Sequence, residues 1–217
     1  MDQRIGWLFA GWLSLVALPG GAQTSPVNVV IDVNANRHAI SPFVYGVAHA
    51  TQAQLTALNA PLNRNGGNAA SRYNWQLNAS NRGRDWYFQS LPYTSSEPGA
   101  ELDAFIASAR AAGAQPLVTV PMVGWVAKLG LNRSRLSSFS IFKYGPQLDR
   151  DFQWFTDAGN GVDLYGRSIA NDPNDANVPT NANVQSGWVQ HLLGRWGAAA
   201  QGGVRFYTLD NEPSLWH

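Results

Sequence analysis

Two stretches of this sequence set an amphipathic helix before a glycine stop and then an apolar strand, and that repeated order narrows the fold more than any other feature. In the first, Leu102, Phe105, Ile106 and Ala109 form an apolar stripe over Glu101 to Gly113, and Pro116-Leu-Val-Thr-Val-Pro121 follows. In the second, Trp188, Leu192 and Trp196 stripe a helix over Gly187 to Ala200, Gly202-Gly203 stop it, and Val204 to Leu209 is the strand. Helix, short loop and buried strand in that order imply parallel crossovers in an α/β fold. Polar and aromatic residues gather at the strand C-terminal ends, as in a (β/α) barrel. Four barrel strands are expected, at 43–48, 61–65, 116–120 and 204–210. A closed barrel has eight strands and typically ~250 residues. The expectation is therefore the first half of a TIM-like barrel, over residues 43–217.

The remaining segments punctuate this pattern. Val27 to Val33 alternates like a strand, and Gln52 to Asn59 suits a short helix. The stretch from Gly67 to Pro98 reads as a long polar loop rich in aromatics, a length that is usually functional. Residues 1–22 read as an export signal: Arg4, an uncharged apolar run from Ile5 to Leu18, and small residues before a cut after Ala22. That run is shorter than the ~20 residues of a membrane span, so the expectation is a secreted protein with no membrane partner.

Composition excludes some partners. The net charge is +1, from 15 Lys+Arg against 14 Asp+Glu, so no overall field favours nucleic acid. There is no cysteine, hence no disulfide framework, thiol nucleophile or Cys-ligated zinc. Only 13% of residues are charged while 12% are aromatic, including nine Trp. Such a chain suits neutral, hydroxyl-rich ligands whose C–H faces stack on rings, although a Trp-rich core would give the same numbers.

The residues most able to do chemistry are Asp210-Asn-Glu-Pro213, at the end of the last apolar strand. Barrel enzymes keep catalytic groups at this position. Pro213 cannot extend a ladder, so the strand is expected to end at Glu212, with its carboxyl in the mouth. Glycoside cleavage needs one carboxyl as proton donor and a second across the anomeric carbon. The same four residues would equally serve as a helix cap.

The combination of Asn63-Arg-Asn-Gly-Gly-Asn-Ala-Ala-Ser-Arg-Tyr-Asn-Trp75, Leu77-Asn-Ala-Ser80, Val120-Pro-Met-Val-Gly-Trp-Val-Ala-Lys128 and Leu209-Asp-Asn-Glu-Pro-Ser-Leu-Trp216 resembles glycoside hydrolase family 44. The resemblance implies a retaining endo-acting β-1,4-glucanase or xyloglucanase. It implies a barrel joined to a β-sandwich built from both chain ends, which would claim residues 23–42 as N-terminal sandwich strands. Glu212 would be the acid/base, and the nucleophile, a Glu on a later strand, would lie beyond residue 217. Asn65 departs from the family motif, where a bulkier residue usually follows the arginine.

Within that resemblance, Asn211 is expected to bond the sugar 2-hydroxyl and Arg64 to keep the nucleophile ionised. Asn68, Trp75, Trp86 and Trp125 are candidate substrate contacts, though each ring can equally serve the core. Trp188 and Trp196 belong to the core, and His191 to the helix surface. No cofactor is required; family members can carry structural calcium, for which Asp157, Asp172 and Asp175 are the candidate ligands, with solvated turns as the simpler reading. The partner would be a β-1,4-linked polysaccharide and the complete enzyme a monomer. A non-catalytic carbohydrate-binding protein, an envelope protein and a family 5-like cellulase are the alternatives.

Overall fold

The computed structural model describes residues 28–212; the expected export signal and Pro213 lie outside them. The chain divides after Ala39 into two units. In the first, residues 28–39 form no strand, and Val29, Val30, Ile31 and Val33 are all exposed. The described part of 23–42, where the resemblance implied sandwich strands, thus holds no strand. Alternation alone does not make a strand, because the backbone needs a partner ladder, and none is formed here among the described residues.

The second unit is built on a four-stranded parallel sheet: β1 (Val47–Ala48), β2 (Leu62–Arg64), β3 (Gln115–Val120) and β4 (Phe206–Leu209). They lie side by side in chain order, with Val47 opposite Asn63, Leu62 opposite Gln115, and Phe206 opposite Leu117. Helix α1 (Gln52–Leu58) separates β1 from β2, α2 (Ala100–Ala111) precedes β3, and α3 (Ala182–Trp196) precedes β4. This is the expected helix-then-strand order. No helix among the described residues is long and apolar enough to cross a membrane.

Local chemistry sets the boundaries. Thr51 and Gln54 make a reciprocal capping box at the start of α1. Asn181 caps α3 by accepting from the Asn183 and Val184 amides, so the helix begins five residues before Gly187. The strand expected at 43–48 is shorter: Pro42–Tyr45 is a 3-10 turn, started by Pro42 and by Ser41 Oγ accepting from the Phe43 amide. Only Val47–Ala48 remains extended.

The core lies between β3 and the helices. Leu102 and Ile106 of α2, Val118 of β3, Trp188 and Leu192 of α3, Tyr73 and Val204 form one buried cluster. Leu55, Ala60, Ala109 and Ala114 form a second beneath α1. Trp188 is fully buried and Trp196 packs at the edge, as expected. His191 is not a surface residue. Its ring stacks on Trp188 at 5.3 Å, and Nε2 lies 2.9 Å from Asp103 Oδ2. Trp196 Nε1 donates to the other Asp103 oxygen at 2.6 Å, so one carboxylate ties α3 to α2.

The long loop is ordered rather than structureless. Tyr73–Asn74, Ala79–Asn81, Gln89–Pro92 and Leu136–Ser137 make an antiparallel sheet, and Trp125–Ala127 pairs with Asn177–Pro179. These strands are two to four residues long, too short for any periodicity to reveal. Buried side-chain amides hold them: Asn81 Nδ2 donates to Phe88 O at 3.0 Å and Asn74 Nδ2 to Ala127 O at 2.8 Å.

Candidate active site

The C-terminal ends of β2, β3 and β4 converge on Asp210 and Asn211, with Glu212 next in the chain. Strand β4 ends at Leu209, three residues earlier than expected. The Asp210 amide still donates to Val120 O at 2.9 Å, but its φ is 61° and that of Glu212 is 45°. A left-handed non-glycine residue costs about 1–3 kcal/mol and persists only where its surroundings impose it. Here the imposition is visible. Asp210 Oδ2 accepts from the Met122 and Val123 amides beyond β3, and Oδ1 from the Asn211 amide at 2.6 Å. A short side chain that can bond nearby backbone is the kind that tolerates this conformation.

Asn211 is buried between strand ends far apart in sequence. Its Oδ1 accepts from the Arg64 guanidinium and, at 3.1 Å, from the Gly67 amide. Two donors on Oδ1 fix the amide orientation, so Nδ2 points at Glu212 and donates to Oε2 at 3.1 Å. Glu212 itself is exposed to solvent.

Arg64 closes β2 and packs flat against Gly66: a Cβ there would lie 2.5 Å from the guanidinium carbon. Gly67 has φ 82°, and with Gly66 it turns the chain so that the Gly67 N–H meets Asn211. Asn65, the departure from the family motif, is held by its backbone: its amide donates to Leu117 O, and its carbonyl accepts from Thr119 Oγ1.

Two residues that the sequence did not single out join this site. His49 follows β1 and touches Gly66 through Nε2. Arg72 lies largely buried near Asp210; burial lowers its pKa, and the Asp210 charge opposes that fall. Motif spacing could have flagged Arg72, which stands between Gly67 and Tyr73 in the matched block. Nothing local in sequence marks His49.

Beside the Gly66–Gly67 turn is a cleft of about 480 Å³, lined by His49, Asn65, Asn68, Arg82, Asp85, Tyr93, Glu101 and Phe105 among others. Asn68 is thus at a cavity wall. Trp86 is exposed at the end of a 3-10 turn, edge-on to Tyr87, and Trp125 is half-buried at the start of its strand. Trp75 is placed differently. It stacks on Trp188 with ring centres 6.0 Å apart, and its Nε1 donates to Val184 O, so its indole serves the core.

The three candidate calcium ligands do not converge. Asp157 accepts from the Phe142 amide, Asp172 caps Asn174, and Asp175 pairs with Lys143 and the Tyr144 hydroxyl. Among the described residues no group of three His, Asp or Glu side chains is arranged to hold a metal. Each of the three carboxylates accepts from a protein donor instead.

Residues 79–217 match the family model of glycoside hydrolase family 44. Endoglucanase A of Paenibacillus lautus is 31% identical over 207 residues, covering 90% of this chain and 27% of that protein. Beta-mannanase/endoglucanase A of Caldicellulosiruptor saccharolyticus is 29% identical over 203 residues, covering 88% and 14%. The crystal structure of CelM2, a bifunctional glucanase-xylanase from a metagenome library, superposes with TM-score 0.81 at 59% identity, over 83% of this chain and 35% of that one. A Paenibacillus polymyxa xyloglucanase of family 44 gives TM-score 0.53 at 28% identity, over 82% and 33%. The chain spans 35% or less of the length of each of these proteins. With the family model matched over most of its length, this chain belongs to glycoside hydrolase family 44.

Proposed function

We propose that this chain carries the acid/base half of a retaining endo-β-1,4-glucanase, with Glu212 as proton donor. The observation that supports this best is the doubly anchored Asn211, whose Nδ2 faces the Glu212 carboxyl from the mouth of a parallel sheet. In such a mechanism Glu212 protonates the departing sugar oxygen, a second carboxylate takes the anomeric carbon, and Glu212 then deprotonates the incoming water. Asn211, presenting its donor side, would bond the sugar 2-hydroxyl. The charge of Arg64 would favour an ionised nucleophile.

The four sequential parallel strands fit the first half of a (β/α)8 barrel, and the pattern of residues 1–22 fits export; both belong to this proposal. The substrate would be a β-1,4-linked glucan, linear or xyloglucan, since relatives carry endoglucanase and xyloglucanase names. Trp86, Trp125 and Asn68 are the proposed sugar contacts.

Retaining enzymes hold their two carboxyls ~5–5.5 Å apart, and the proposed nucleophile lies on a later strand. The 217-residue polypeptide alone is therefore expected to leave carboxymethylcellulose and xyloglucan intact. Joined to the later strands of CelM2, it should hydrolyse them, and Glu212→Gln should lower kcat on polysaccharide by about 10³-fold or more. On an aryl glycoside with a good leaving group, azide should rescue that variant and yield a β-glycosyl azide. Turnover by the lone polypeptide, or a Glu212→Gln variant as active as its parent, would overturn the reading.

A further inference from the structure

We propose that His49 is a positioning residue for Glu212, acting through the Gly66–Gly67 turn and Asn211. This rests on the reading of Glu212 as the acid/base. His49 follows β1 with a left-handed φ of 51°, and its amide donates to Arg64 O at 3.0 Å. Its ring Nε2 lies 2.9 Å from Gly66 O and 3.2 Å from Gly66 N. One ring nitrogen thus meets both polar groups of one residue. Protonated, it donates to the carbonyl; unprotonated, it accepts from the amide. In either form the ring clamps Gly66.

That clamp is felt downstream because the parts are in direct contact. Gly66 lies against the Arg64 guanidinium with no room for a Cβ, and the adjacent Gly67 amide donates to Asn211 Oδ1. Arg64 donates to the same oxygen. Both donors that orient Asn211 therefore sit on backbone that His49 holds, from Arg64 O to Gly66. The path from ring to acid runs His49, Gly66, Gly67, Asn211, Glu212, each link a hydrogen bond or a peptide bond. Glycine would adopt φ 51° with less strain, so an imidazole at this position points to a use for the ring rather than to backbone need.

The test is a series at one position in the chain joined to the later strands of CelM2: His49→Gly, His49→Ala and His49→Gln. Gly removes the ring while suiting the backbone, so its thermal midpoint should match or exceed that of Ala. Both are expected to lower kcat about 10- to 100-fold with KM changed less than about threefold. Gln reaches as far as Nε2 and carries a donor and an acceptor, and it should restore most of kcat. A Gly variant with kcat within about twofold of the parent, or a Gln variant as impaired as Gly, would sink the proposal. A second measurement needs no turnover: in the 217-residue chain, amide exchange at Gly67 should speed up at least about tenfold in His49→Gly. Unchanged exchange counts against the proposal even if the acid/base reading stands, and Glu212→Gln in the joined enzyme tests that reading separately.

Discussion

The Arg64 guanidinium donates to Asn211 Oδ1, joining the ends of two parallel strands separated by 147 positions in the sequence. That contact and the Gly67 amide decide which face of the Asn211 amide meets Glu212.

Replacing Arg64 by Lys should therefore be harmful, although charge is kept. A lysine supplies a point charge on a flexible stem and cannot reproduce the planar fork that both packs on Gly66 and reaches Asn211. In the joined enzyme, kcat/KM on xyloglucan should fall about 10- to 100-fold, equivalent to about 1.4–2.8 kcal/mol. Steady-state kinetics beside the parent would check this.

Two glycines should respond in opposite ways. At Gly66 an added Cβ would meet the Arg64 guanidinium at 2.5 Å, so Gly66→Ala should displace Arg64 and reduce activity. At Gly113, φ is 78° with open space around the site, so Gly113→Ala should cost about 1 kcal/mol of stability and leave activity alone. Thermal melts and kinetics on both variants separate the effects.

Acid should release one stabilising group. Burial alone would raise the Asp151 pKa, but bonds from the Trp154 amide, the Gln89 side-chain amide and the Gln153 and Phe155 amides together hold it below the usual carboxylate value. A depressed folded pKa stabilises the protein above the unfolded value of ~3.9, and that contribution is lost as pH falls through the folded one. The difference in melting temperature between parent and Asp151→Asn should be largest near about pH 6 and shrink toward about pH 2.

His191→Ala should destabilise the helix pair by about 2–4 kcal/mol, since it empties space beside the stacked Trp188 and Trp75 rings and strips Asp103 of a partner. Its effect should appear as a lower denaturation midpoint, with kcat in the joined enzyme unchanged.

Much of the sheet was legible because its strands and helices are long enough to show their periods. Leu102, Phe105, Ile106 and Ala109 announced α2, and Pro116 to Val120 announced β3. The alternation of Val27 to Val33 gave no strand over the described residues 28–33, because alternation reports a pattern of side chains and says nothing of a partner ladder. The segments between β2 and β4 hid their antiparallel strands in pieces of two to four residues, held by buried amides such as Asn74 and Asn81 rather than by apolar rhythm. Trp75 shows the limit for single residues: ring chemistry is the same in core and cleft, and only its stacking on Trp188 assigned it.

By itself the sequence determined the helix-then-strand order of the parallel sheet, the family, and the place of Glu212 at the C-terminal side of an apolar strand, because each depends on residues near one another in the chain. Only the tertiary structure decided the orientation of Asn211, the left-handed turn at Asp210, the dispersal of Asp157, Asp172 and Asp175, and the contact of His49 with Gly66. Those depend on which strand ends the sheet brings together, and a hydrogen bond between residues 64 and 211 leaves no local trace.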